Sequence, residues 1–452
     1  LYCPFAKAPA MNNSHKAAMP NMQYPGSKSS SSKLALILAS ASLLLPVPAA
    51  PADDWPNFRG PNHDGISSGT GLAAKWPDTG PKVVWTREVG AAFSSFAVVG
   101  DRLYTCGAED KQQVLFCLKA ATGDVVWKRA FEPEYTDPDP HLYGTRATPT
   151  VDGGRVYIMA PHAHVFCFDA ATGKQIWSRA FGAKPGWGYS GSVLIEGGMA
   201  IVTAGGSDGS LCAMDKKTGD VIWKCGDDPA AYATPYPFTL DGKRYICGFM
   251  GQSVIVAEAK TGKPVLRFEW PSHSGVNACS PIFHDGHLLI STGYGYGAGL
   301  FKLKPEGDVL RAAEVWRSRK IRNKFQSPVL FEGNLYTSDE NGLKCADFMT
   351  GKLHWRKGGI RHGTIVLAGG YLGLLTETGE LQVAPASPDG FEPNAKAKPF
   401  EGNSYSAFQR LTRQQQGARC WTTPVLCGHR LYVRDHTRVK CLDLRDASST
   451  GR

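Results

Sequence analysis

Apolar and polar residues alternate along most of this chain. GRVYIMA (154–160), HVFCFDA (164–170) and SVIVAEA (253–259) are typical runs. Each is short, rich in β-branched and aromatic residues, and set off by Gly or Asp, which is the pattern of strands. Helical repeats would space their apolar residues by three and four, and these runs do not. The 51 Gly and 30 Pro are spread along the sequence, which suits many short strands joined by tight turns.

The strands fall into a repeat. Thr-Gly followed by an aromatic recurs as TGPKVVW (79–85), TGDVVW (122–127), TGKQIW (172–177), TGDVIW (218–223) and TGKLHW (350–355). TGKPVL (261–266) and a degenerate rung ending EVW (314–316) fill the gap between the last two. The spacing of ~40–50 residues is that of a four-stranded propeller blade. A second marker opens each unit: a small residue, Ser or Thr, often Pro, then strand, Gly turn and strand. RATPTVDGGRVYIMA, YATPYPFTLDGKRYICG, ACSPIFHDGHLLIS, FQSPVLFEGNLYTS and WTTPVLCGHRLYVR show it. FSSFAVVGDRLYTC, YSGSVLIEGGMAIVT and HGTIVLAGGYLGLLT are looser copies, so eight blades are predicted.

The last unit, ending VKCLDL (439–444), lacks a Trp rung, and the first rung, at Trp85, lacks a unit before it. Joined, they make one blade. The expectation is an all-β, eight-bladed propeller of four-stranded antiparallel blades, closed by its N-terminal strand so that no sheet edge is left open. The division implied is an upstream extension and secretory signal (1–52), a lead-in (53–78), the propeller (79–446) and a tail (447–452).

The rung has a physical reading. Gly supplies the positive φ of a tight turn. Asp169, Asp215 and Asp347, three residues before Thr, can accept the turn's N–H groups. Trp85, Trp127, Trp177, Trp223, Trp316 and Trp355 would then dock against the neighbouring blade, each burying ~150–250 Å².

These residues carry a resemblance. CFDAATGKQIW (167–177), AMDKKTGDVIW (213–223) and CADFMTGKLHW (345–355) resemble the tryptophan-docking repeat A-x-D-x-x-T-G-x-x-x-W of pyrroloquinoline-quinone-like (PQQ-like) propellers. The likeness covers roughly residues 55–446. WPNFRGPNHDG (55–65) looks like the lead-in of exported bacterial members. In size and blade number the chain is similar to BamB-type propellers. That resemblance implies a cofactor-free scaffold that binds envelope partners through loops on one face. The dehydrogenase branch of the fold implies instead PQQ and calcium in the channel, an Asp base and a disulfide of adjacent cysteines. This sequence has no Cys-Cys pair.

Composition narrows the setting. A Ser- and Lys-bearing lead, the apolar run LALILASASLLL (34–45) and Ala50-Pro51-Ala52 read as an export signal with its cleavage site. The apolar run is too short to span a bilayer, which needs ~20 residues. A periplasmic or secreted protein is expected, with no transmembrane helix and no lipoprotein Cys. The formal charge of +10 includes Lys7, Lys16, Lys28 and Lys33 ahead of that cleavage. The remaining basic residues neither cluster nor alternate with aromatics, which argues against nucleic acid as partner. Cys117, Cys167, Cys345 and Cys441 share one blade position, and Cys106 and Cys247 another, so they read as buried packing residues rather than bridges. Cys420 and Cys427 flank one strand, where a bridge is open. His162 and His164 alternate on a strand without a third ligand, and no metal or catalytic motif is expected.

In a propeller the loops entering the first strands ring the channel mouth. Those positions hold Phe93, Arg146, Tyr189, Tyr232, Asn277, Lys324, Phe325, Arg361, His362 and Trp421, with Trp187 just ahead of one. Aromatics, cations and an amide, without a carboxylate, suit a planar anion, a peptide carboxylate or a sugar, or simply plug the channel. The long segments 131–145 and 387–419 are candidate partner-binding loops. The expected function is a monomeric, cofactor-free binding scaffold for an envelope protein or a small anionic or sugar ligand. The alternative is a PQQ- and calcium-dependent alcohol or sugar dehydrogenase.

Overall fold

The computed structural model describes residues 54–445 apart from 70, 74–75, 78, 135–143, 184, 341, 361 and 401–419. Every described residue belongs to one compact unit, Ala49–Arg452. The expected export signal and C-terminal tail, Arg361 and most of both long loops lie outside the described residues.

The described chain folds into eight antiparallel sheets in sequence order, as the repeat predicts. Blades 1 to 6 span residues 97–133, 150–180, 194–225, 236–269, 282–318 and 329–357. Blade 7 spans 364–397. Blade 8 combines residues 425–443 with the early strand Lys82–Glu88, which pairs antiparallel with Arg438–Asp443. The first repeat-bearing strand therefore closes the ring as the outermost strand of the last blade. Within each blade the middle strands are buried, as Arg155–Ala160 and His164–Asp169 are, while the fourth alternates between exposed and buried.

One joint recurs between blades. The indoles of Trp85, Trp127, Trp177, Trp223 and Trp316 each lie on the Gly of the next blade's Thr-Gly turn. A Cβ on that Gly would stand 2.6 Å from Trp85 (Gly123), 2.6 Å from Trp127 (Gly173), 2.8 Å from Trp177 (Gly219), 2.5 Å from Trp223 (Gly262) and 2.7 Å from Trp316 (Gly351). Gly is thus required twice, by a φ near +70° and by the neighbour's ring. The indole N–H groups of Trp85, Trp127, Trp177, Trp316 and Trp355 donate to Ala120, Ala170, Lys216, Phe348 and Ser387 carbonyls at 2.9–3.2 Å. Tyr432, Tyr104 and Tyr157 donate to the first three of those same carbonyls. Arg87, Arg129 and Arg179, two residues past their Trp, donate to the Gly carbonyls of the same turns.

A β-bulge aims each ring. The register slips by one residue immediately before Trp85, Trp127, Trp177, Trp223, Trp316 and Trp355, and before Leu266 at the same place in blade 4. The extra residue twists the outer strand toward its neighbour. Inside the turn, Thr172 and Thr350 each donate backbone N–H and hydroxyl to the Asp three residues earlier, at 2.6–2.8 Å.

Three joints depart from the rule. Trp355 of blade 6 meets Phe391 of blade 7, with centroids 6.2 Å apart, in place of a glycine. Blade 4 offers Leu266, and a cavity of about 140 Å³ lined by Val265, Tyr245, Pro305 and Leu310 opens between blades 4 and 5. Blade 7 sets Ala397 against Gly80. The closing seam between blades 8 and 1 has its own device. Fully buried Arg434 donates to the carbonyls of Ser94, Cys106, Gly90 and His436 and to the Thr105 hydroxyl. Burial pulls its guanidinium down to about 10.

The lead-in is part of the propeller. Trp55 bridges Val98 in blade 1, and Val151 in blade 2 donates to the Pro56 carbonyl at 2.8 Å. Arg59 then donates to the Pro328 carbonyl of blade 6 at 2.7 Å. Ile66–Ser67 pairs parallel with the first strand of blade 7, and the Ser67 hydroxyl donates to the Leu426 carbonyl of blade 8 at 2.7 Å. A segment bonded first to blades 1 and 2 and then to blades 6, 7 and 8 crosses the channel. The eleven described cysteines are free thiols, and all but Cys427 are fully buried. Burial pushes Cys106, Cys167 and Cys247 up to about 12, so they pack as apolar groups.

Trp177→Ala is expected to cost about 3–5 kcal/mol, the range for a large buried aromatic, read as a fall in the urea midpoint. An unchanged midpoint would remove the docking role. Arg434→Met strands several buried carbonyls and is expected to cost a similar 3–5 kcal/mol; a loss below 1 kcal/mol would show that the closing strand alone holds the seam.

Candidate functional site

The segments leading into the first strands converge on a cup of about 300 Å³ at one end of the channel. Alternation along an extended backbone decides which side chains reach it. Each marker's hydroxyl residue has a partner two places earlier on the same side. In blade order those partners are Phe93, Arg146, Ser190, Tyr232, Ala278, Phe325, His362 and Trp421, and all eight line the cup. The hydroxyl residues also tie blades together. Thr148, Ser192 and Ser280 give their N–H groups to Ser192, Thr234 and Ser327 hydroxyls at 2.9 Å. Ser95 and Thr364 donate to the carbonyls of Thr423 and Thr422.

Of the residues expected at the mouth, Arg146, Trp187, Tyr232, Lys324, His362 and Trp421 meet in this cup, with Phe93 and Phe325. Tyr189 and Asn277 do not. They stand three places before the hydroxyl residue, one step out of register, and a one-residue shift turns the side chain to the other face. Tyr189 is fully buried, with its hydroxyl on the Ala204 carbonyl. Asn277 is also fully buried. Its amide donates to Met250 and Trp270 carbonyls at 2.7 and 3.3 Å and accepts from the Thr292 hydroxyl at 2.7 Å, so it ties loops together. Arg361 lies outside the described residues.

One wall is aromatic. Phe93 stacks on Trp421 with centroids 5.2 Å apart, Phe325 lies 5.0 Å from Trp421, and Phe325 stacks on His362 at 5.5 Å. Opposite, Arg146 donates to the Trp187 carbonyl, and the Tyr232 hydroxyl accepts the Trp187 N–H at 3.2 Å. Lys324 sits 4.7 Å over the Tyr294 ring and 4.0 Å from Glu340. Tyr294 has φ 57° in GYGYG, a conformation an L residue holds only at a cost, and the Glu340 carboxylate holds its N–H at 2.6 Å.

Sequence reasoning missed three of these groups. Phe58, from the lead-in, reaches the cup from within the channel. Tyr294 and Glu377 come from the turns between second and third strands, which open on the same end as the first-strand loops. TGYGYG (292–297) and TETG (376–379) occupy one blade position, but they share too little sequence for that equivalence to be read before the strands are superposed. Glu377 is buried behind the wall. It accepts the Trp421 indole N–H at 3.1 Å and lies 3.5 Å from His362 Nδ1. Burial works to raise its carboxyl, but hydrogen bonds and charge from His362, with the bond from Trp421, outweigh that and hold it below the ordinary value.

His162 and His164 meet a single carboxylate. Glu132, which ends blade 1, lies 3.0 Å from His162 Nδ1 and 3.5 Å from His164 Nδ1, and burial raises it. Among the described residues no group of three His, Cys, Asp or Glu side chains could hold a metal ion. No described helix is long and apolar enough to cross a membrane.

A quinone with calcium, implied by one branch of the fold, fits this cup only in part. Aromatic walls and two cations suit a flat anion. Calcium takes six to eight oxygens, with carboxylates prominent. The lining offers none among the described residues, its hydroxyls are committed in part between blades, and Arg146 and Lys324 would repel a dication.

The profile of the family described as outer membrane protein assembly factor BamB matches residues 111–357. BamB from Moraxella catarrhalis is similar in structure at 15% identity, over 80% of this chain and 97% of that one, with a TM-score of 0.56. A europium-containing methanol dehydrogenase is similar at 12% identity over 85% and 89% of the chains, TM-score 0.61. The quinohemoprotein alcohol dehydrogenase of Comamonas testosteroni is similar at 13% identity over 87% and 81%, TM-score 0.59. At these identities the likeness is one of fold. No curated protein matches the chain in sequence.

Glu377→Gln is expected to cost about 1–3 kcal/mol at pH 7, the range for a lost charged hydrogen bond. A carboxyl held below its unfolded value of ~4.3 adds stability above that pH and loses it as the pH falls through the folded value. The gap between wild type and variant in urea titrations should therefore shrink toward pH 3. A gap of the same size at pH 3 and pH 7 would count against the charged pairing.

Proposed function

The chain belongs to the PQQ-like repeat family described as outer membrane protein assembly factor BamB, and from that premise we propose that it is an exported, non-catalytic binding scaffold of the cell envelope. Its recognition face is the end of the ring that carries the cup. The observation behind this reading is the lining itself: eight like blades contribute Phe93, Arg146, Ser190, Tyr232, Ala278, Phe325, His362 and Trp421, mostly aromatic or basic, and among the described lining residues no carboxylate is placed as a base or calcium ligand. General base catalysis needs a group within hydrogen-bond reach of the substrate, and Glu377 faces Trp421 and His362 behind the wall. Lys324 and Arg146 favour an anionic ligand or the carboxylate of a partner segment.

A quinoprotein oxidoreductase is the second reading, favoured by the aromatic wall of Phe93, Phe325 and Trp421. One experiment separates the two. Purified protein is titrated with PQQ, with and without calcium, and dye-linked oxidation of alcohols and sugars is followed. The scaffold reading expects no turnover and no calcium-dependent binding. Stoichiometric, calcium-dependent quinone binding with turnover would replace it by the enzyme. A photo-crosslinking residue at position 294, on the cup's rim, is expected to capture a partner in intact cells, whereas one at exposed Val125 on an outer strand is not; equal labelling at both would sink the choice of face.

A further inference from the structure

We propose that the cavity between blades 4 and 5 is a second binding site, which takes a neutral phenol ring, free or as the tyrosine side chain of a partner. It shares no lining residue with the cup and goes beyond the scaffold reading.

The repeat shows what this joint lacks. At the joints after blades 8, 1 and 2, a Trp indole and a Tyr hydroxyl of one blade donate to the same carbonyl of the next, the hydroxyls of Tyr432, Tyr104 and Tyr157 at 2.9–3.2 Å. Blade 4 keeps the Tyr, as Tyr245 in DGKRYICG, but carries Leu266 where the Trp would stand. Blade 5 in turn has no Thr-Gly turn to receive them. Its last two strands, Gly297–Glu306 and Val309–Ser318, run ten residues each and are joined by Gly307 and Asp308. A Cβ on Gly307 would meet nothing within 4 Å, whereas the turn Gly at five other joints lies under an indole. The long hairpin packs along the outer strand of blade 4 instead, and Asp308 at its tip pairs with Lys263 at 2.9 Å. The cavity is the space left between them.

Its size and polar groups define the ligand. At about 140 Å³ it is close to the ~150 Å³ that holds one benzene ring. Val265, Leu310 and Pro305 supply apolar walls, and Val309, 52% exposed, marks the open side. Tyr245 lines the cavity with its ring buried against Phe238, centroids 5.4 Å apart. Its hydroxyl makes no hydrogen bond to a described residue. Burial raises its phenol, with Glu258 and Asp241 adding to the effect, so it stays a donor at neutral pH. Glu258 is Tyr245's partner in the sheet register and lines the cavity too. Its Oε2 accepts the Thr261 hydroxyl at 3.0 Å, which leaves Oε1 for a donor. A phenol hydroxyl can accept from Tyr245 and donate to that carboxylate at once. Asp241, Asp308 and Lys243 also stand on the lining, and Asp308 already has Lys263. Charges so mixed call for no counter-ion, which suits a neutral ring.

The test follows the methyl signals of Val265 and Leu310 by NMR while the full chain is titrated with p-cresol and with toluene. These methyls report on this cavity and not on the cup. p-Cresol is expected to bind about fivefold tighter than toluene, the size of one net hydrogen bond. Tyr245→Phe should remove that preference and leave toluene binding as it was. The same variant should melt with wild type, whereas Tyr157→Phe, which loses its bond to the Lys216 carbonyl, should melt lower. Val309→Trp sets a ring across the open side and should abolish the response to both ligands. N-Acetyltyrosinamide separates the two sources: binding as tight as that of p-cresol assigns the site to a partner's tyrosine, and its exclusion assigns the site to a free phenol. No methyl shift with p-cresol, equal binding of p-cresol and toluene, or a preference that survives Tyr245→Phe would overturn the proposal. The reading of the cup stands or falls separately, on the quinone titration.

Discussion

Everything in this molecule depends on an indole lying on a glycine. The Trp of one blade covers the Thr-Gly turn of the next, at distances that leave no room for a Cβ. The contact joins apolar burial to a hydrogen bond from the indole N–H, and Arg and Tyr add donors to the same turn. One interaction thus fixes the distance and angle between sheets that share no ladder hydrogen bonds. The bulge before each Trp belongs to the same joint, since without it the ring would follow the ordinary pleat of the strand.

A ring of such joints must close, and closure is where the repeat cannot help. Lys82–Glu88 supplies the missing outer strand, and Arg434 satisfies carbonyls on both sides of the seam. The joint between blades 4 and 5 shows the cost of omission: Leu266 replaces the Trp and a void remains beside it. Once the ring is closed, the hydroxyl belt brings eight first strands to one axis, and the residues two places before the hydroxyls are forced to face one another. The repeated positions build the ring, and the unrepeated ones decide what its mouth can bind.

How far this could be read beforehand differs by feature. The blade number, the docking Trp residues and the closing strand were legible because each is a local pattern written several times, so a weak signal is averaged over copies. Most of the cup was legible for the same reason: Arg146, Tyr232, His362 and Trp421 stand at a fixed distance from a repeated marker. Tyr189 and Asn277 were placed one residue out of step, and period-two geometry turns such a slip into a change of face. Phe58 and Glu377 carry no repeat signal of their own. The first belongs to a segment outside the blades, and the second to a turn whose equivalence to GYGYG shows only when the strands are superposed.

By itself the sequence determined the all-β class, the repeated blade and the chemistry of the joint, since alternation, Gly turns and Trp spacing act within a few dozen residues. Only the tertiary structure decided that the lead-in crosses the channel and brings Phe58 to the cup, that a carboxylate stands behind the aromatic wall, and which of two adjacent residues faces the axis. Those facts depend on segments as much as 359 residues apart meeting in space, as Ser67 and Leu426 do, and no local pattern encodes such a meeting.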